Sequence, residues 1–380
     1  MTDAVIVAAR RTPTGKRNGV LSGVHPADLS AHVLEDLVKT AGVDPALVED
    51  VIWGTVSQTG EQTGDIARTA ALSAGFPETV TGVTVDRQCG SSQQAVHFAA
   101  AGIIAGQYDI VIAGGVESMS RVPMGSSSQG ANPYGERFMA RYDGVKPNQG
   151  IGAEMIGEQW GFTRTQVDEL AIESHARAAA ATDSGAFESQ IAPVETEHGR
   201  ISADEGIRRG GTVEGLAKLS TVFKEDGIVT AGNSSQISDG SAALLMMSDA
   251  KAKELGLTPI ARVHTAVLAG SDPVIMLTGP IPATQKALAR SGLSVDDIGV
   301  FEVNEAFATV PLAWQHEIGA DWAKVNPNGG AIAMGHPLGG SGARLMTTMV
   351  HHMQANGIRY GLQTMCEGGG QANATILELL

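Results

Sequence analysis

The chain has 380 residues, of which 43% are hydrophobic and 18% charged, a composition typical of a folded protein with a substantial core. Its net charge of −15 argues against a general nucleic-acid binder, but it is compatible with a locally basic pocket for a phosphorylated small molecule. Glycine is frequent, at 48 residues, and aromatic residues make up only 4%, so we expect tight turns and close contacts between backbone segments.

The N-terminus does not have the pattern of a secretory signal. The apolar stretch Ala4–Ala9 is followed at once by Arg10 and Arg11, and no run approaches the roughly 18 apolar residues of a membrane span. Cys89 and Cys366 provide no disulfide framework, and no CxxC or HExxH spacing suggests a metal site. We therefore expect a cytoplasmic protein with no metal, no nucleic-acid partner and no membrane insertion.

Short β-branched runs alternate with helical patterns in the first part of the chain. Strands are predicted at Ala4–Ala9, Asp50–Val56, Val80–Val85 and Asp109–Ala113. Helices are predicted between them at Ala27–Thr40, Asp65–Ala74 and Ser91–Ala105. The alternation favours crossover units on a mostly parallel sheet.

From about residue 260 the same order of elements returns. Strands are predicted at Ile260–Val267, Ile298–Val303, Lys324–Val325 and Leu362–Cys366, and a last strand at Ala374–Leu379. Helices are predicted at Pro282–Ser291, Ala306–Glu317 and Ser341–Gln354. The repetition indicates a duplicated α/β unit.

A long segment separates the two halves. Residues 118–150 are rich in Gly, Pro, Ser and Asn without a sustained period, which is typical of a loop. A helix is predicted from Thr163, because Gln166 completes a capping-box spacing. Its inner stripe would be made of small and apolar residues, namely Val167, Leu170, Ala171, Ser174 and Ala178.

These patterns divide the chain into three parts. Residues 1–118 are interpreted as an N-terminal half, completed by about 238–258, and residues 259–380 as a C-terminal half. The intervening 119–237 segment is too long for a simple connection, so we interpret it as a lid domain over the substrate.

Cys89 lies in the predicted connection between a buried strand and the helix that begins at Ser91. Ligands of open α/β sheets bind at this carboxyl edge, and a helix N-terminus favours a thiolate and donates N–H groups to an oxyanion. The alternative is a small buried residue that lets strand and helix approach each other.

His336 lies in the equivalent connection of the second half, in the sequence NPNGGAIAMGHPLGGSGAR. If the halves pack about a pseudo-twofold axis, this loop faces Cys89, and His336 would accept the thiol proton. The alternative is a hydrogen-bonded turn residue. The glycines do not form a dinucleotide fingerprint, since no GxGxxG follows the strand.

Two more polar residues end predicted strands. Cys366 runs into the turn Gly368–Gly370, whose N–H groups suit an oxyanion site, and its thiol would deliver a proton unless it is only a buried strand-end residue. Asn304 would either cap the helix from Ala306 or hold a water or a carbonyl oxygen. All four candidates map to carboxyl edges of strands in a duplicated fold.

With these motifs the chain resembles the thiolases, the acyl-CoA:acetyl-CoA acyltransferases, along nearly its whole length. The resemblance rests on the Cys89 segment, NEAF at Asn304–Phe307, the GHPLGGSGAR block, CEGGG at Cys366 and TGPIP at Thr278–Pro282. It implies a five-layered αβαβα fold, with two βαβαβαββ halves and an inserted loop domain that contacts CoA. It also implies a homodimer or homotetramer with no resident cofactor, since coenzyme A is a co-substrate.

The resemblance also implies roles for these residues. Cys89 would attack the keto carbon of a 3-oxoacyl-CoA while His336 takes its proton, and Cys366 would protonate the departing acetyl-CoA enolate and activate incoming CoA. His336 and a water on Asn304 would form one oxyanion site, and the amides of Cys89 and Gly368 the other.

For the ligand, the family pattern places Arg208, Ala231 and Ser235 against CoA, although Arg208 would otherwise be part of a solvated charged turn. Short-chain family members have His-Met-Gly where this chain has Asn148-Gln149-Gly150, and they share Met276 near the acyl pocket. The departure at Gln149 favours an acyl chain longer than acetoacetyl, branched or steroid-derived, processed in β-oxidation, for which a hydratase or dehydrogenase is a candidate partner.

Four other functions are compatible with parts of this pattern. One is an acetoacetyl-CoA thiolase working in the biosynthetic direction. Ketoacyl synthases and hydroxymethylglutaryl-CoA synthase use other residues where Cys366 stands, which argues against both. The last is a non-catalytic acyl-CoA carrier or subunit of a β-oxidation complex, which would bind CoA without turnover.

Overall fold

A computed structural model of the protein describes residues 2–380. The strands are β1 (Ala4–Arg11), β2 (Gly15–Lys16), β3 (Asp50–Gly54), β4 (Thr81–Val85), β5 (Ile110–Ser118), β6 (Val194–Thr196), β7 (Gly199–Ile201), β8 (Ser238–Ser248), β9 (Ala261–Gly270), β10 (Val300–Val303), β11 (Tyr360–Glu367) and β12 (Gln371–Leu379). The α-helices are α1 (Pro26–Ala41), α2 (Ile66–Ser73), α3 (Ser91–Ile104), α4 (Glu136–Arg141), α5 (Gln149–Trp160), α6 (Arg164–Asp183), α7 (Val213–Leu216), α8 (Asp249–Glu254), α9 (Pro280–Ser291), α10 (Thr309–Ile318), α11 (Ala331–Met334) and α12 (Ser341–Asn356). Among these residues no helix is both long and apolar enough to cross a membrane.

The long strands form one sheet in which the same strand order occurs twice. The N-terminal half has the order β4-β3-β5-β8-β1, and the C-terminal half has β10-β11-β12-β9, with Val325 bridging the outer side of β10 in the place of β4. The two halves meet where β1 pairs antiparallel with β9, at Val5–Arg262 and Ile6–Ala261. The predicted duplication is therefore confirmed.

The prediction of a mostly parallel sheet is wrong. Only the pairs β3–β4, β3–β5 and β10–β11 are parallel, and the remaining neighbours are antiparallel. The reason is visible at β11 and β12, which are joined by three glycines at 368–370. A turn of this length returns the chain beside itself, whereas a parallel neighbour requires a crossover of a dozen residues or more.

The alternating faces of the sheet pack into different cores, which produces five layers. Ala242, Leu244 and Met246 of β8 pack with α3 and α12, whereas the residues between them pack with α1 and α2. The central cluster also contains Val300 and Leu377 from the C-terminal half, so α3 and α12 lie between the two parts of the sheet. Helices α9 and α10 cover the far side of that half. This is the predicted αβαβα arrangement.

Three local predictions differ from the structure. Lys324 ends a 3₁₀ turn, and only Val325 bridges β10, so there is no strand at Lys324–Val325. The helix predicted from Ala306 begins at Thr309, because Ala306 and Ala308 are hydrogen-bonded to the segment at Asn233–Ser235. Asn304 is therefore not the cap of that helix.

The segment between β5 and β8 also has more regular structure than expected. The interval 118–150 includes α4 and the start of α5, where the side chain of Asn148 accepts the amides of Gly150 and Ile151 at 3.0 and 3.1 Å. The predicted capping box of Thr163 and Gln166 is present at the start of α6. All members of the predicted inner stripe of α6 are buried.

Glycines allow the loops of the two halves to touch backbone to backbone at the carboxyl edge. A Cβ atom at Gly115 would lie 2.4 Å from the carbonyl oxygen of Gly339, and one at Gly54 would lie 2.7 Å from the same oxygen. A Cβ at Gly339 itself would lie 2.6 Å from the Cα of Thr55. Side chains at these positions would separate the loop before α12 from the ends of β3 and β5, which is where the candidate site is formed.

Candidate active site

Cys89 lies in a tight turn between β4 and α3, as predicted. Gln88 has a φ of 49°, which reverses the chain just before the cysteine. The amides of Gly90 and Ser91 turn back to the carbonyls of Arg87 and Gln88, whereas the Cys89 amide has no carbonyl partner among residues 2–380. A free N–H group thus lies beside the Cys89 thiol, available to an oxyanion.

Burial of the Cys89 thiol opposes the thiolate that a helix N-terminus favours. Burial raises its pKa to about 12, and the nearby carboxylates of Glu367, Glu117 and Asp86 raise this pKa further, against the lowering effect of its own backbone amide. The side chain is only 4% exposed, so the loss of hydration raises the pKa of the thiol more than the helix N-terminus lowers it.

His336 lies between α11 and α12 on the loop that contacts the N-terminal half. Its backbone amide donates to the carbonyl of Gln236 at 3.2 Å and to Ser238 Oγ at 3.1 Å. Its Nδ1 lies 2.6 Å from Ser341 Oγ, which donates its own proton to the carbonyl of Pro337 at 2.9 Å. Because a hydroxyl has one proton to donate, Ser341 accepts from Nδ1–H, and this fixes the tautomer of His336.

The other ring nitrogen of His336 is consequently free to accept a proton. Asn304 Nδ2 lies 3.4 Å from Nε2. Burial and the positive charge of Arg344 lower the pKa of His336 to about 3, so the imidazole is neutral. Cys89 and His336 therefore face one cavity as a neutral thiol and a neutral base. Sequence reasoning missed Ser341, although its position five residues after His336 in GHPLGGS was the available signal.

Cys366 and the CEGGG turn lie against the Cys89 loop. Cys366 is fully buried, and this burial raises the pKa of its thiol well above the usual value, with a smaller contribution from the neighbouring Cys89 thiol. A Cβ atom at Gly368 would lie 2.8 Å from Gln88 Oε1. The two thiols and the glycine turn are therefore neighbours, as the strand-end positions predicted.

Glu117, which sequence reasoning also missed, links the loops around the site. It is the penultimate residue of β5 and is fully buried, and its carboxylate accepts the amides of Val56, Ser57 and Gly339 at 2.9 to 3.0 Å. It also accepts from Gln62 Nε2 at 2.7 Å. One carboxylate thereby holds the ends of two N-terminal strands to the loop of His336.

The cavity in front of Cys89 and His336 has a volume of about 220 Å³ and a largely apolar wall. Gln149 lines it, as predicted. The large apolar residues of the wall are Met119, Met124, Val222, Phe223, Ile237, Phe307 and Leu338. Met276 does not line the cavity, since it is buried behind the wall with Cys366, Ala306 and Phe307.

A second cavity of about 570 Å³ lies beside the first and shares part of its lining. The residues predicted for CoA, Arg208, Ala231 and Ser235, all line it. Ala231 and Ser235 line both cavities, together with Ser234, Gln236 and Ile237. The two spaces therefore share a wall from the surface to Cys89. Arg209 is paired with Asp183 at 2.7 Å and does not line either cavity.

Comparisons with known proteins agree with this geometry. The model of the thiolase N-terminal domain matches residues 4–250, and that of the thiolase C-terminal domain matches residues 257–379. The chain belongs to the thiolase family.

Similar thiolases cover this chain from end to end. A steroid 3-ketoacyl-CoA thiolase of Mycobacterium tuberculosis is 49% identical over 100% of this chain and 95% of its own length. A 3-ketoacyl-CoA thiolase of Photobacterium profundum is 47% identical over 100% of both chains. The crystal structure of an acetyl-CoA acetyltransferase of Bacillus anthracis superposes with a TM-score of 0.92 at 41% identity, over 100% of this chain and 99% of that one.

Alkylation tests the protonation state of Cys89 in this thiolase. Since its pKa is raised to about 12, the thiolate fraction should grow about tenfold for each pH unit through the neutral and mildly alkaline range. We expect the rate of iodoacetamide modification, measured in Cys366→Ala so that Cys89 is the only thiol, to rise steadily up to pH 10. Glutathione serves as the reference. A rate that levels off below pH 8 would show that Cys89 and His336 form a thiolate–imidazolium pair.

Replacement of Ser341 tests the tautomer of His336. Ser341→Ala removes the acceptor of Nδ1–H, so kcat should fall by about tenfold to a hundredfold, a part of what a positioned general base contributes. Ser30→Ala is a matched control, because Ser30 is also fully buried and donates to a proline carbonyl four residues earlier, Pro26, at 2.8 Å, but contacts no histidine. Equal losses of activity in the two variants would refute the role of Ser341.

Proposed function

We propose that this thiolase catalyses the CoA-dependent cleavage of a 3-oxoacyl-CoA to acetyl-CoA and an acyl-CoA shortened by two carbons. One observation carries the proposal: a neutral Cys89 thiol and a neutral His336, whose Nε2 carries no proton, line a cavity that adjoins the space bordered by Arg208. This arrangement supplies a nucleophile, its base and a path for a long thioester substrate.

In the first half-reaction Cys89 becomes acylated. Its sulfur attacks the C3 carbonyl carbon while the thiol proton passes to His336 Nε2. The C2–C3 bond then breaks, the electron pair remains on the acetyl-CoA enolate, and the thiol of Cys366 protonates C2. Acetyl-CoA leaves, and the shortened acyl group is a thioester on Cys89.

In the second half-reaction CoA removes the acyl group. The thiolate left on Cys366 takes the proton of the CoA thiol, which attacks the acyl carbonyl carbon. When the tetrahedral intermediate collapses, the sulfur of Cys89 leaves and regains its proton from His336. All groups return to their starting protonation states, so the cycle needs no other cofactor.

Two sets of donors would stabilise the oxyanions. After His336 is protonated, its Nε2–H becomes a donor next to Asn304, whose buried Oδ1 has no partner among residues 2–380 and is suited to hold a water. The free amide of Cys89 and the amide of Gly368 would form the second set. Donors fixed in a buried site stabilise charge more strongly than donors in water.

We propose that the preferred acyl chain is longer than acetoacetyl. The wall of the cavity is largely apolar. Three of its residues, Met124, Val222 and Phe223, are 56%, 57% and 36% exposed, so they do not close the cavity against a longer acyl chain. The relatives named as 3-ketoacyl-CoA and steroid 3-ketoacyl-CoA thiolases support this choice. The structural similarity to an acetyl-CoA acetyltransferase makes acetoacetyl-CoA the second candidate.

The oxidation state of the two thiols bears on where this chemistry can take place. Both Cys89 and Cys366 must remain reduced for the cycle to run. We therefore propose a reducing, cytoplasmic compartment, with a β-oxidation dehydrogenase as the class of enzyme that supplies the 3-oxo group.

Parallel assays with two substrates test the proposed function. We expect faster CoA-dependent release of acetyl-CoA from a medium-chain 3-oxoacyl-CoA than from acetoacetyl-CoA, because apolar chain surface is buried in the cavity. Cys89→Ala is the blank and should abolish release from both. Faster cleavage of acetoacetyl-CoA would favour the short-chain function, and tight CoA binding without any Cys89-dependent release would indicate a non-catalytic acyl-CoA-binding protein.

We further propose that the chain is a homodimer through the free edge of β4. This strand ends the sheet, and Val83 on it and Phe98 on α3 are 42% and 45% exposed and line a common surface groove. Pairing with β4 of a second copy would provide hydrogen-bond partners for the unpaired backbone groups of this edge strand and would cover the apolar surface. Light scattering should give at least twice the chain mass of 39.2 kDa, falling in Val83→Lys. A single-chain mass for the unmodified protein would contradict the proposal.

A further inference from the structure

The outer cavity of about 570 Å³ is bordered by more positive charge than the family pattern assigned to it. Besides Arg208, Lys16 and Arg17 line this space; Lys16 ends β2 and Arg17 begins the turn that follows it. Glu205 also lines it, so three cations and one carboxylate border the opening, a local excess of positive charge in a chain with a net charge of −15. Such a concentration attracts anionic ligands.

The backbone around Arg17 is held firmly against the channel. β2 pairs with β8, and the amide of Arg17 donates to the carbonyl of Ile237 at 3.0 Å. Ile237 lines both the outer cavity and the catalytic cavity. Asn18, with a φ of 55°, donates its amide to Ser120 Oγ at 2.8 Å and thereby fixes the next step of the turn.

Glu205 fixes the same turn from the other side. Its Oε2 accepts the amides of Lys16 and Val20 at 3.1 and 3.0 Å, and its Oε1 lies 3.2 Å from Lys16 Nζ. A Cβ atom at Gly19 would lie 2.0 Å from Oε2, so the carboxylate needs a glycine at that position. Lys16 is therefore already neutralised by a partner.

Arg17 and Arg208 differ from Lys16 in this respect. Among residues 2–380 neither guanidinium group has a carboxylate or hydrogen-bond partner, although both border the outer cavity. A guanidinium fork matches the geometry of a phosphate, and a charge-assisted bond of this kind is stronger than a neutral one. Two unpaired guanidinium groups at one opening are suited to a ligand that carries phosphate groups.

We propose that Arg17, together with Arg208, binds the phosphate groups of the CoA nucleotide at the mouth of the channel. The Lys16–Glu205 pair and the bond from Arg17 to Ile237 position the guanidinium group. This inference rests on the proposed function, because that function requires a CoA thioester to reach Cys89 through the same channel. It assigns to Arg17 a role in affinity for the nucleotide and none in the bond-breaking steps.

Steady-state kinetics of Arg17→Gln test the assignment. We expect the KM for CoA to rise by about tenfold or more, since a charge-assisted contact is lost, while kcat at saturating CoA stays unchanged. With pantetheine, which lacks the nucleotide, the variant and the unmodified protein should give equal rates. Arg208→Gln should behave like Arg17→Gln. The matched control is Lys253→Gln, which removes an exposed cation on α8, at the opposite end of β8.

Dephospho-CoA separates the phosphate groups. If Arg17 binds the 3′-phosphate, Arg17→Gln should not alter the KM for dephospho-CoA, and if it binds the pyrophosphate, the same rise should appear with both thiols. An unchanged KM for CoA in Arg17→Gln, or an equal rise in Lys253→Gln, would overturn the proposal.

Calorimetric titration with CoA keeps this test independent of the reaction. CoA should bind more weakly to Arg17→Gln than to the unmodified protein, by the same factor as the rise in KM. If the unmodified protein binds CoA and the variant binds it less well, but neither cleaves a 3-oxoacyl-CoA, the proposed function fails and the phosphate contact stands. Equal binding by both proteins would refute the contact even if cleavage is observed.

Discussion

The site depends on one contact, the close approach of the backbone around Gly339 to the ends of β3 and β5. There, the carbonyl of Gly339 lies where side chains at Gly54 and Gly115 would otherwise be. The carboxylate of Glu117 stabilises this contact, because it accepts hydrogen bonds from the amide of Gly339 and from those of Val56 and Ser57. The loop that carries His336 is thereby fixed against the half that carries Cys89.

This constraint explains why both reacting groups are neutral. A contact without side chains excludes water, so the thiol of Cys89 and the imidazole of His336 are both buried, at 4% exposure each. Burial disfavours each charged form, which raises the pKa of the thiol and lowers that of the imidazole. The charged pair would therefore form only as the substrate carbonyl accepts electrons, when the new oxyanion and its donors offset the cost of separating charge.

The sequence predicts much of this arrangement because its local patterns are strong. The change from a β-branched run to small helical residues places Cys89 at a strand end, and the repeated order of elements places His336 and Cys366 in equivalent connections. The capping box of Thr163 and Gln166 is a local interaction, and it forms as predicted. Each of these features depends only on residues close to one another in the chain.

Other features depend on distant contacts and could not be predicted in this way. Ala306 and Ala308 leave the helical conformation because they pair with Asn233 and Ser235, which are about seventy residues away. The raised pKa of the Cys89 thiol has a similar origin, since loops from both halves bury this side chain. Glu117 resembles an ordinary charge at a strand end until the loops that it joins are placed together.

The two ends of the channel differ in polarity. Its inner end is apolar and is lined by Cys89 and His336, whereas its outer end is lined by the guanidinium groups of Arg17 and Arg208. A CoA thioester has the same polarity, with an acyl chain at one end and phosphates at the other. The order of charges along the channel therefore favours one orientation, in which the thioester end reaches Cys89.

Mass spectrometry of the trapped intermediate tests the central claim most directly. The unmodified protein would be mixed with a medium-chain 3-oxoacyl-CoA in the absence of free CoA, quenched in acid and digested. We expect an acyl group two carbons shorter than the substrate on the peptide of Cys89, and none on the peptide of Cys366. Acylation of Cys366 instead, or acetyl-CoA release without any acyl group on Cys89, would contradict it.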